Sequence, residues 1–188
     1  MLFRWLVSGG YDGQVIVWNP STRQPVQSLN VGQRRVRAVA FSPDGHTLAA
    51  ASESGQVFLW NSPSWQALPT LQDDHQVWTI AFSPDGQTLA VGTNQGLIQL
   101  WDLRTLQPSL TMQGHTAEVR AISFSADGHT LASAGEDRTV RLWDAVTGEP
   151  QATLTGHSAA IYALDFSATG TSLATGGHDG AIVLWRAP

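Results

Sequence analysis

Two sets of four side chains recur with the same spacing near the C-terminus and contain residue types used in catalysis. The sets are His115, Ser133, Asp137 and Trp143, followed by His157, Thr175, Asp179 and Trp185. Serine, histidine and aspartate also form the triad of many hydrolases, in which the serine is the nucleophile. Such a serine usually lies on an exposed, strained turn. Ser133 falls instead within Leu131-Ala-Ser-Ala-Gly135, which predicts an interior strand, so the sequence favours a structural role.

The structural interpretation accounts for all four residue types. A buried indole N–H and a buried imidazole each need a hydrogen-bond partner, and a hydroxyl and a carboxylate can supply them as a closed chain. A satisfied polar network of this kind fixes a core. Repetition supports the interpretation, because an enzyme needs one site and not one in each repeat. We therefore assign no catalytic residue.

The same positions change towards the N-terminus. The first repeat keeps Ser8, Asp12 and Trp18, while its histidine would lie before Met1. The aligned residues are Gly32, Ala50, Ser54 and Trp60 in the second repeat and Asp73, Val91, Gln95 and Trp101 in the third. His75 lies two residues after the expected histidine position, and whether it substitutes there stays open.

Histidines could also bind a metal, but their spacing argues against it. The six histidines fall one to a loop or turn, at His46, His75, His115, His129, His157 and His178. No pair has the close spacing of a zinc site, and the chain has no cysteine. The sequence predicts neither a metal nor a cofactor.

Five tryptophans mark the predicted strands that hold these residues in place. Trp18, Trp60, Trp101, Trp143 and Trp185 follow one another at intervals of 42, 41, 42 and 42 residues, and each closes a short run of Val, Ile, Leu or Phe. A period in the low forties with a tryptophan at a strand end is typical of one four-stranded propeller blade. The pattern predicts an all-β repeat protein.

Turn signals recur in step with the tryptophans. They are Phe41-Ser-Pro-Asp-Gly45, Phe82-Ser-Pro-Asp-Gly86, Phe124-Ser-Ala-Asp-Gly128 and Phe166-Ser-Ala-Thr-Gly170. A glycine at this point tolerates the positive φ that a tight hairpin requires. Each repeat thus predicts four antiparallel strands, of which Val140-Arg-Leu-Trp143 is a third strand and Gln151-Ala-Thr-Leu154 an outer one.

These residues resemble the WD-repeat β-propeller family, whose units carry Gly-His near the start and Trp-Asp at the end of the third strand. Gly114-His115 leads to Trp143-Asp144 and Gly156-His157 to Trp185-Arg186, whereas the second and third units lack the Gly-His. The resemblance covers essentially the whole chain and suggests a bacterial-type member with a partial propeller. In this family the Asp, His, Ser/Thr and Trp tetrad ties the third strand to the loop entering the blade.

Alignment on the tryptophans predicts incomplete units at both ends. The first unit lacks its innermost strand and the last its outermost, which gives five blades of three, four, four, four and three strands. The blades are expected at approximately 1–30, 35–72, 76–113, 118–155 and 160–188. We expect an open arc of about four and a half blades, part of a longer propeller of roughly seven or more. Its exposed edges predict self-association.

Composition narrows the classes of protein further. The chain of 188 residues is 42% hydrophobic and 13% charged, as in a β-rich globular domain. No apolar stretch approaches the length of about eighteen residues that a membrane span needs, and Arg4 interrupts the apolar start, which argues against a signal peptide. The absence of cysteine fits a reducing compartment, and the cytoplasm is the expected location.

The charge argues against a nucleic-acid partner. The net charge is −5, and the chain contains no lysine. A nucleic-acid-binding domain normally carries a basic surplus on one face. Only Arg34, Arg35 and Arg37 cluster, and we interpret them as a solvated loop and strand end.

The resemblance also implies where a partner binds. In this family, peptides commonly bind the upper face, which carries the loops into each inner strand, near the residue after that strand's first apolar position. By alignment these residues are Arg37, Trp78, Arg120 and Tyr162, and the adjoining rim residues are Tyr11, Glu53, Asn94, Glu136 and His178. Arginine and aromatic residues together suit a peptide with acidic and apolar side chains. The alternative is that Trp78 and Tyr162 pack between blades.

Two functions remain open at this stage. The first is a non-catalytic scaffold that presents loops and its upper face to a protein or peptide. The second is a regulatory or sensor region of a larger bacterial-type polypeptide whose enzymatic domain lies outside this chain. Neither predicts a nucleic acid or a membrane as partner.

Overall fold

A computed structural model describes residues 5–32 and 34–186, and within these ranges every helix or strand is a β-strand. The chain divides into two compact units, residues 1–77 and 78–188. The expected outermost bounds of the first and last blades, residues 1 and 188, lie outside the described residues. Each unit consists of antiparallel sheets whose strands follow one another in chain order.

The first unit holds two sheets. Their strands are β1 (Leu6–Gly9), β2 (Gln14–Asn19) and β3 (Gln24–Asn30), then β4 (Val36–Phe41), β5 (Thr47–Ser52), β6 (Gln56–Asn61) and β7 (Leu71–Gln72). Strand β1 packs against β4. A Cβ atom on Gly9 would lie 2.4 Å from Cγ1 of Val36, so the glycine is what allows this close approach.

The second unit holds three sheets, and the first strand of these begins at the boundary between the units. The third sheet is β8 (Val77–Phe82), β9 (Thr88–Thr93), β10 (Leu97–Asp102) and β11 (Gln107–Gln113). The fourth is β12 (Val119–Phe124), β13 (Thr130–Gly135), β14 (Thr139–Asp144) and β15 (Pro150–Thr155), and the fifth is β16 (Ile161–Phe166), β17 (Ser172–Gly177) and β18 (Ile182–Arg186). Strand β12 packs against β9 and β16.

The second strands of the sheets are built from small residues because both of their faces are covered. In β5, Ala49, Ala50 and Ala51 are fully buried, as are Ala132 and Ala134 in β13. Larger apolar side chains fill the space around them and form the core of each unit. The core contains Val15, Val17, Leu48 and Trp60 in the first unit and Ile98, Leu131, Val140, Trp143 and Ile161 in the second.

In the second, third and fourth sheets, the turns between the first and second strands share one hydrogen-bond pattern. In the third sheet, the Ser83 hydroxyl donates to Asp85 Oδ1 at 2.6 Å and accepts from the Thr88 N–H at 2.9 Å, and Gly86 has a φ of 69°. These bonds from Ser83 and from the Gln87 N–H lower the pKa of Asp85. The carboxylate therefore stabilises the turn in its ionised form.

The predicted fold class is confirmed. The described residues form five antiparallel sheets of three, four, four, four and three strands, as the tryptophan alignment predicts. Within the same ranges, no helix is long and apolar enough to cross a membrane.

Candidate functional site

In the fourth sheet, four side chains from three segments form one hydrogen-bonded chain. The Trp143 indole donates to Ser133 Oγ at 2.8 Å, and that oxygen lies 2.7 Å from His115 Nε2. His115 Nδ1 lies 2.8 Å from Asp137 Oδ2. Because an ionised carboxylate only accepts, Nδ1 donates, and a neutral ring then accepts from the Ser133 hydroxyl at Nε2. The chain ties the loop before β12 to β13 and β14.

The fifth sheet repeats this arrangement. Trp185 Nε1 donates to Thr175 Oγ1 at 2.9 Å, and Thr175 Oγ1 lies 2.8 Å from His157 Nε2. His157 Nδ1 lies 3.0 Å from Asp179 Oδ2. A threonine hydroxyl thus serves in the same position as the serine hydroxyl of the fourth sheet.

Hydrogen bonds hold both aspartates in the ionised form. Burial acts to raise the pKa of Asp137, but hydrogen bonds from His115 and from the N–H groups of Thr116 and Thr139 outweigh it and lower the pKa. The N–H groups of Ala181 and Ser158, together with His157, lower the pKa of Asp179 to about 2. Each tetrad therefore ends on a carboxylate that is ionised at neutral pH.

The Ser133–His115–Asp137 order matches that of a hydrolase triad, so burial decides what it can do. The Ser133 and His115 side chains are 0% exposed, and the serine oxygen already accepts from Trp143. A substrate carbonyl cannot reach this oxygen, which every nucleophilic mechanism requires. The arrangement is a structural tie.

The other sheets keep only parts of the tetrad. In the first sheet Trp18 donates to Ser8 Oγ at 2.9 Å, while Asp12 Oδ1 accepts from the Gln14 N–H. In the second, the position equivalent to Ser133 is Ala50, which is fully buried.

In the third sheet, Val91 stands where the fourth sheet has its serine. The Trp101 indole N–H is buried and has no hydrogen-bond partner among the described residues. In the first unit, His75 Nδ1 lies 3.2 Å from Oδ1 of Asp73. His75 therefore contacts the residue that occupies the expected histidine position.

Three of the candidate partner-binding residues lie at irregular points of the inner strands. The pairing of β4 with β5 skips Arg37, that of β12 with β13 skips Arg120, and that of β16 with β17 skips Tyr162. An extra residue of this kind leaves the in-and-out alternation of the strand, and bulges commonly re-aim a side chain near a functional site. The bulges therefore free these three side chains from the core-facing pattern.

In the second unit the candidate residues form a row across three sheets. The Arg120 guanidinium lies 3.8 Å from the ring centroid of Trp78 and 5.7 Å from that of Tyr162, whose ring meets His178 edge to face at 6.0 Å. Tyr162 is 48% exposed. The row therefore reaches the surface at Tyr162, whereas Trp78 is partly buried against Arg120 of the neighbouring sheet.

Two carboxylates neutralise Arg120. Its Nε donates to Glu136 Oε1 at 2.9 Å, and its Nη2 pairs with both Glu136 and Glu118. The sequence analysis predicted Glu136 on this rim but missed Glu118. An acidic residue two positions before the bulge was the available signal. Arg120 thus anchors the row, and its charge is already balanced by two carboxylates next to the same sheet.

In the first unit the equivalent cluster has a different composition. Arg37 donates to Glu53 Oε1 at 2.8 Å, and its guanidinium lies 5.6 Å from the Tyr11 ring centroid. Arg35 lies closer to that ring, at 4.7 Å. The Glu53 N–H donates to the Arg35 carbonyl. In the fourth sheet, the Glu136 N–H donates in the same way to the Glu118 carbonyl. Arg35 and Glu118 therefore occupy the same backbone position with opposite charges.

The remaining candidate, Asn94, lies at the β9–β10 turn. Its Oδ1 is buried, with no hydrogen-bond partner among the residues that the structure describes. In the same ranges, no group of three or more His, Asp or Glu side chains could hold a metal ion.

Repeated four-stranded sheets, strand-terminal tryptophans and buried tetrads define a WD-repeat β-propeller protein. The family model described as the second β-propeller of the echinoderm microtubule-associated protein matches residues 3–153, and the model described as a WD domain, G-beta repeat, matches residues 148–186. The first match covers most of the chain, which therefore belongs to this family of WD-repeat propellers.

Curated relatives match shorter stretches. The Notchless protein homolog of Arabidopsis thaliana is 46% identical over 57 residues, 30% of this chain and 12% of that protein. Protein FIZZY-RELATED 3 of the same plant is 31% identical over 77 residues (39% and 16%), and Protein HIR1 of Cryptococcus neoformans is 32% identical over 66 residues (35% and 8%). The matches span less than a fifth of each relative's length. These relatives are eukaryotic and do not support the expectation of a bacterial-type protein.

Proposed function

We propose that this chain is a non-catalytic interaction scaffold that binds a protein or peptide at its upper face, where loops enter the inner strands. The observation that carries the proposal is the row of Trp78, Arg120, Tyr162 and His178, held in place by Glu118 and Glu136. WD-repeat propellers are generally non-enzymatic interaction modules, which agrees with it.

The row has the properties of a binding hot spot. Aromatic residues and arginine dominate such sites. The aromatic rings offer a large contact area with few rotamers to immobilise. The ion pairs fix the Arg120 side chain against Trp78 before any partner arrives, so little conformational entropy is lost on binding. Tyr162 presents the exposed part of the row to a partner.

The proposal is tested by comparing what the chain captures with what two variants capture. Tyr162→Ala removes the exposed ring of the row. His129→Ala, in the β12–β13 turn, is the matched control. We expect at least one captured protein that is lost with Tyr162→Ala and kept with His129→Ala, and cross-links from it to the β11–β12 or β15–β16 loops. Identical captures by the wild type and Tyr162→Ala would contradict the proposal.

A second candidate role is that of a regulatory or sensor region in a larger multidomain protein. The match to less than a fifth of each relative's length favours it. Sequencing of the transcript on both sides of the codons for residues 1 and 188 tests it. An open reading frame that encodes an enzymatic domain is the expected result, and in-frame stop codons close to both ends would exclude the role.

Self-association and location complete the proposal. Strand β18 lies at the edge of its sheet, and Ile182 and Leu184 are 81% and 65% exposed. We expect a second copy of the chain to cover them, and light scattering should give an oligomer that Leu184→Lys converts to a monomer. A monomeric wild type would contradict this.

The cytoplasm is the proposed location, to be checked with a fluorescent fusion.

A further inference from the structure

A basic patch lies at the end of the first unit where the β1–β2 turn meets the segment entering β4. We define the basic patch by Tyr11, Arg35, Arg37 and Glu53. Its two guanidinium groups face one carboxylate. In the second unit the corresponding cluster has the reverse balance, since Arg120 faces Glu118 and Glu136.

The two arginines beside Tyr11 differ in how closely each is paired with Glu53. Arg37 is 11% exposed and donates to Glu53 at 2.8 Å. Arg35 is 51% exposed, and its Nε lies 3.9 Å from Glu53 Oε2, too far for a hydrogen bond. Its guanidinium is held instead over the Tyr11 ring, at 4.7 Å from the centroid. Stacking of this kind orients a guanidinium while leaving its in-plane N–H groups directed outwards.

Tyr11 adds an apolar surface to this charge. The side chain is 71% exposed although two guanidinium groups lie against its ring. An exposed aromatic ring next to an oriented guanidinium offers one contact for an apolar side chain and a two-pronged donor for a carboxylate. The patch thus fits a short segment that carries both.

Acidic residues lie next to the basic patch. Asp12 follows Tyr11 directly, and the segment with Asp73 and Asp74 lies against the β5–β6 turn at Gly55. The chain as a whole carries a net charge of −5. A long polyanion such as a nucleic acid would meet these carboxylates, whereas a single acidic side chain would not. Local charge complementarity therefore favours a protein segment.

We propose that the basic patch binds an acidic side chain of a partner protein, with the Arg35 guanidinium on its carboxylate and an adjacent apolar side chain on the Tyr11 ring. This rests on the proposed interaction function, which supplies the partner. It also narrows the partner chemistry, because the acidic group is directed to the first unit and not to Arg120.

The test uses the full chain and a fluorescent ten-residue peptide of alternating Glu and Leu, with the Gln and Leu peptide as its neutral match. Anisotropy titrations measure the dissociation constants. We expect the acidic peptide to bind and Arg35→Gln to weaken it about ten-fold, as for loss of a hydrogen bond between charged groups. Tyr11→Ala should weaken it to a smaller extent. Arg104→Gln, an exposed arginine paired with Asp102 at the β10–β11 turn, is the matched control and should change nothing.

Three results would overturn the inference. They are equal binding of the neutral peptide, equal binding by Arg35→Gln and the Arg104→Gln control, and tighter binding of a single-stranded ten-nucleotide DNA than of the acidic peptide. Arg35 is exposed, so its variants should melt like the wild type, which a thermal scan checks. A partner that is lost with Tyr162→Ala but unaffected by Arg35→Gln would leave the proposed function standing while removing this inference.

Discussion

The third and fourth sheets place a tryptophan at the same point and treat its N–H group in opposite ways. Trp143 donates to Ser133, which continues to His115 and Asp137. Trp101 is also buried, yet its N–H has no partner among the described residues. Both sheets form four regular strands. The apolar packing therefore suffices to build a sheet, and the tetrad adds stability to a fold that does not depend on it.

The largest effect is expected when the carboxylate that ends the complete tetrad of the fourth sheet is removed. Asp137→Ala leaves the His115 N–H and two backbone N–H groups without their acceptor, and we expect it to lower the free energy of unfolding by about 2 kcal/mol. Urea denaturation followed by tryptophan fluorescence measures the loss. Gln95→Ala, the exposed equivalent in the third sheet, is the control and should stay within about 0.5 kcal/mol of the wild type. Equal losses would show that the tetrad is not a tie.

Acid should remove the same contribution gradually. The folded-state pKa values of Asp137 and Asp179 are both lowered, to about 2 for Asp179. Their stabilisation is therefore complete above the unfolded pKa of about 4 and is lost as the pH falls below it. We expect the urea midpoint of the wild type to decline between about pH 4 and pH 2.

The variant Asp137→Asn isolates the part that belongs to the fourth sheet. Its urea midpoint should decline less steeply in the same pH window, because Asn does not titrate. The turn aspartates, whose pKa values are also lowered, contribute equally to both proteins. Parallel curves would mean that Asp137 does not gain its stability from the ionised form.

The third sheet can be made more like the fourth by adding a hydroxyl that accepts from the Trp101 N–H. Val91→Thr places a hydroxyl where Thr175 accepts from Trp185 in the fifth sheet. Burying a hydroxyl without a partner costs about 1–3 kcal/mol, and we expect the Trp101 N–H to offset most of this. Val119→Thr, at another fully buried valine of the second unit, should show the full cost. A larger loss at position 91 than at 119 would contradict the interpretation.

The smallest effect is expected at the turn that follows the tetrad. Arg138 has a φ of 66°, whereas the aligned residue of the third sheet is Gly96, with a φ of 76°. A side chain at positive φ costs about 1–2 kcal/mol, and the greater freedom of unfolded glycine offsets about 0.4–1 kcal/mol of that. Arg138→Gly should raise the melting temperature by a few degrees, while Arg138→Ala, which keeps the Cβ, should not. An equal rise in both variants would attribute the effect to charge.

The sequence predicts the sheets well because their signals are periodic. Tryptophans about forty residues apart, turn glycines and buried alanines each mark the same register, and the described strands follow it. The tetrad positions could be aligned by the same period. The hydrogen bonds at these positions could not be predicted from the period, because the lack of a partner for the Trp101 N–H depends on what surrounds Val91 in space.

The surface clusters were harder to predict because charges pair across segments. The aligned residues Arg37 and Arg120 look alike in the sequence, and both were assigned to an acidic peptide. What separates them is the residue two positions earlier, Arg35 in one case and Glu118 in the other. The bulge at each of these two arginines also leaves no mark in the hydrophobic pattern.

The bulges have a consequence for how these sheets can change over evolution. Arg37, Arg120 and Tyr162 occupy positions that the strand pairing skips, and they are a cation, a cation and an aromatic ring on otherwise similar strands. Because a skipped position has no partner in the strand pairing, its side chain can change without altering the hydrogen-bond ladder, so specificity can diverge there. Tyr162 is 48% exposed, and a library randomised at this position should retain the melting temperature of the parent while differing in the partners it selects.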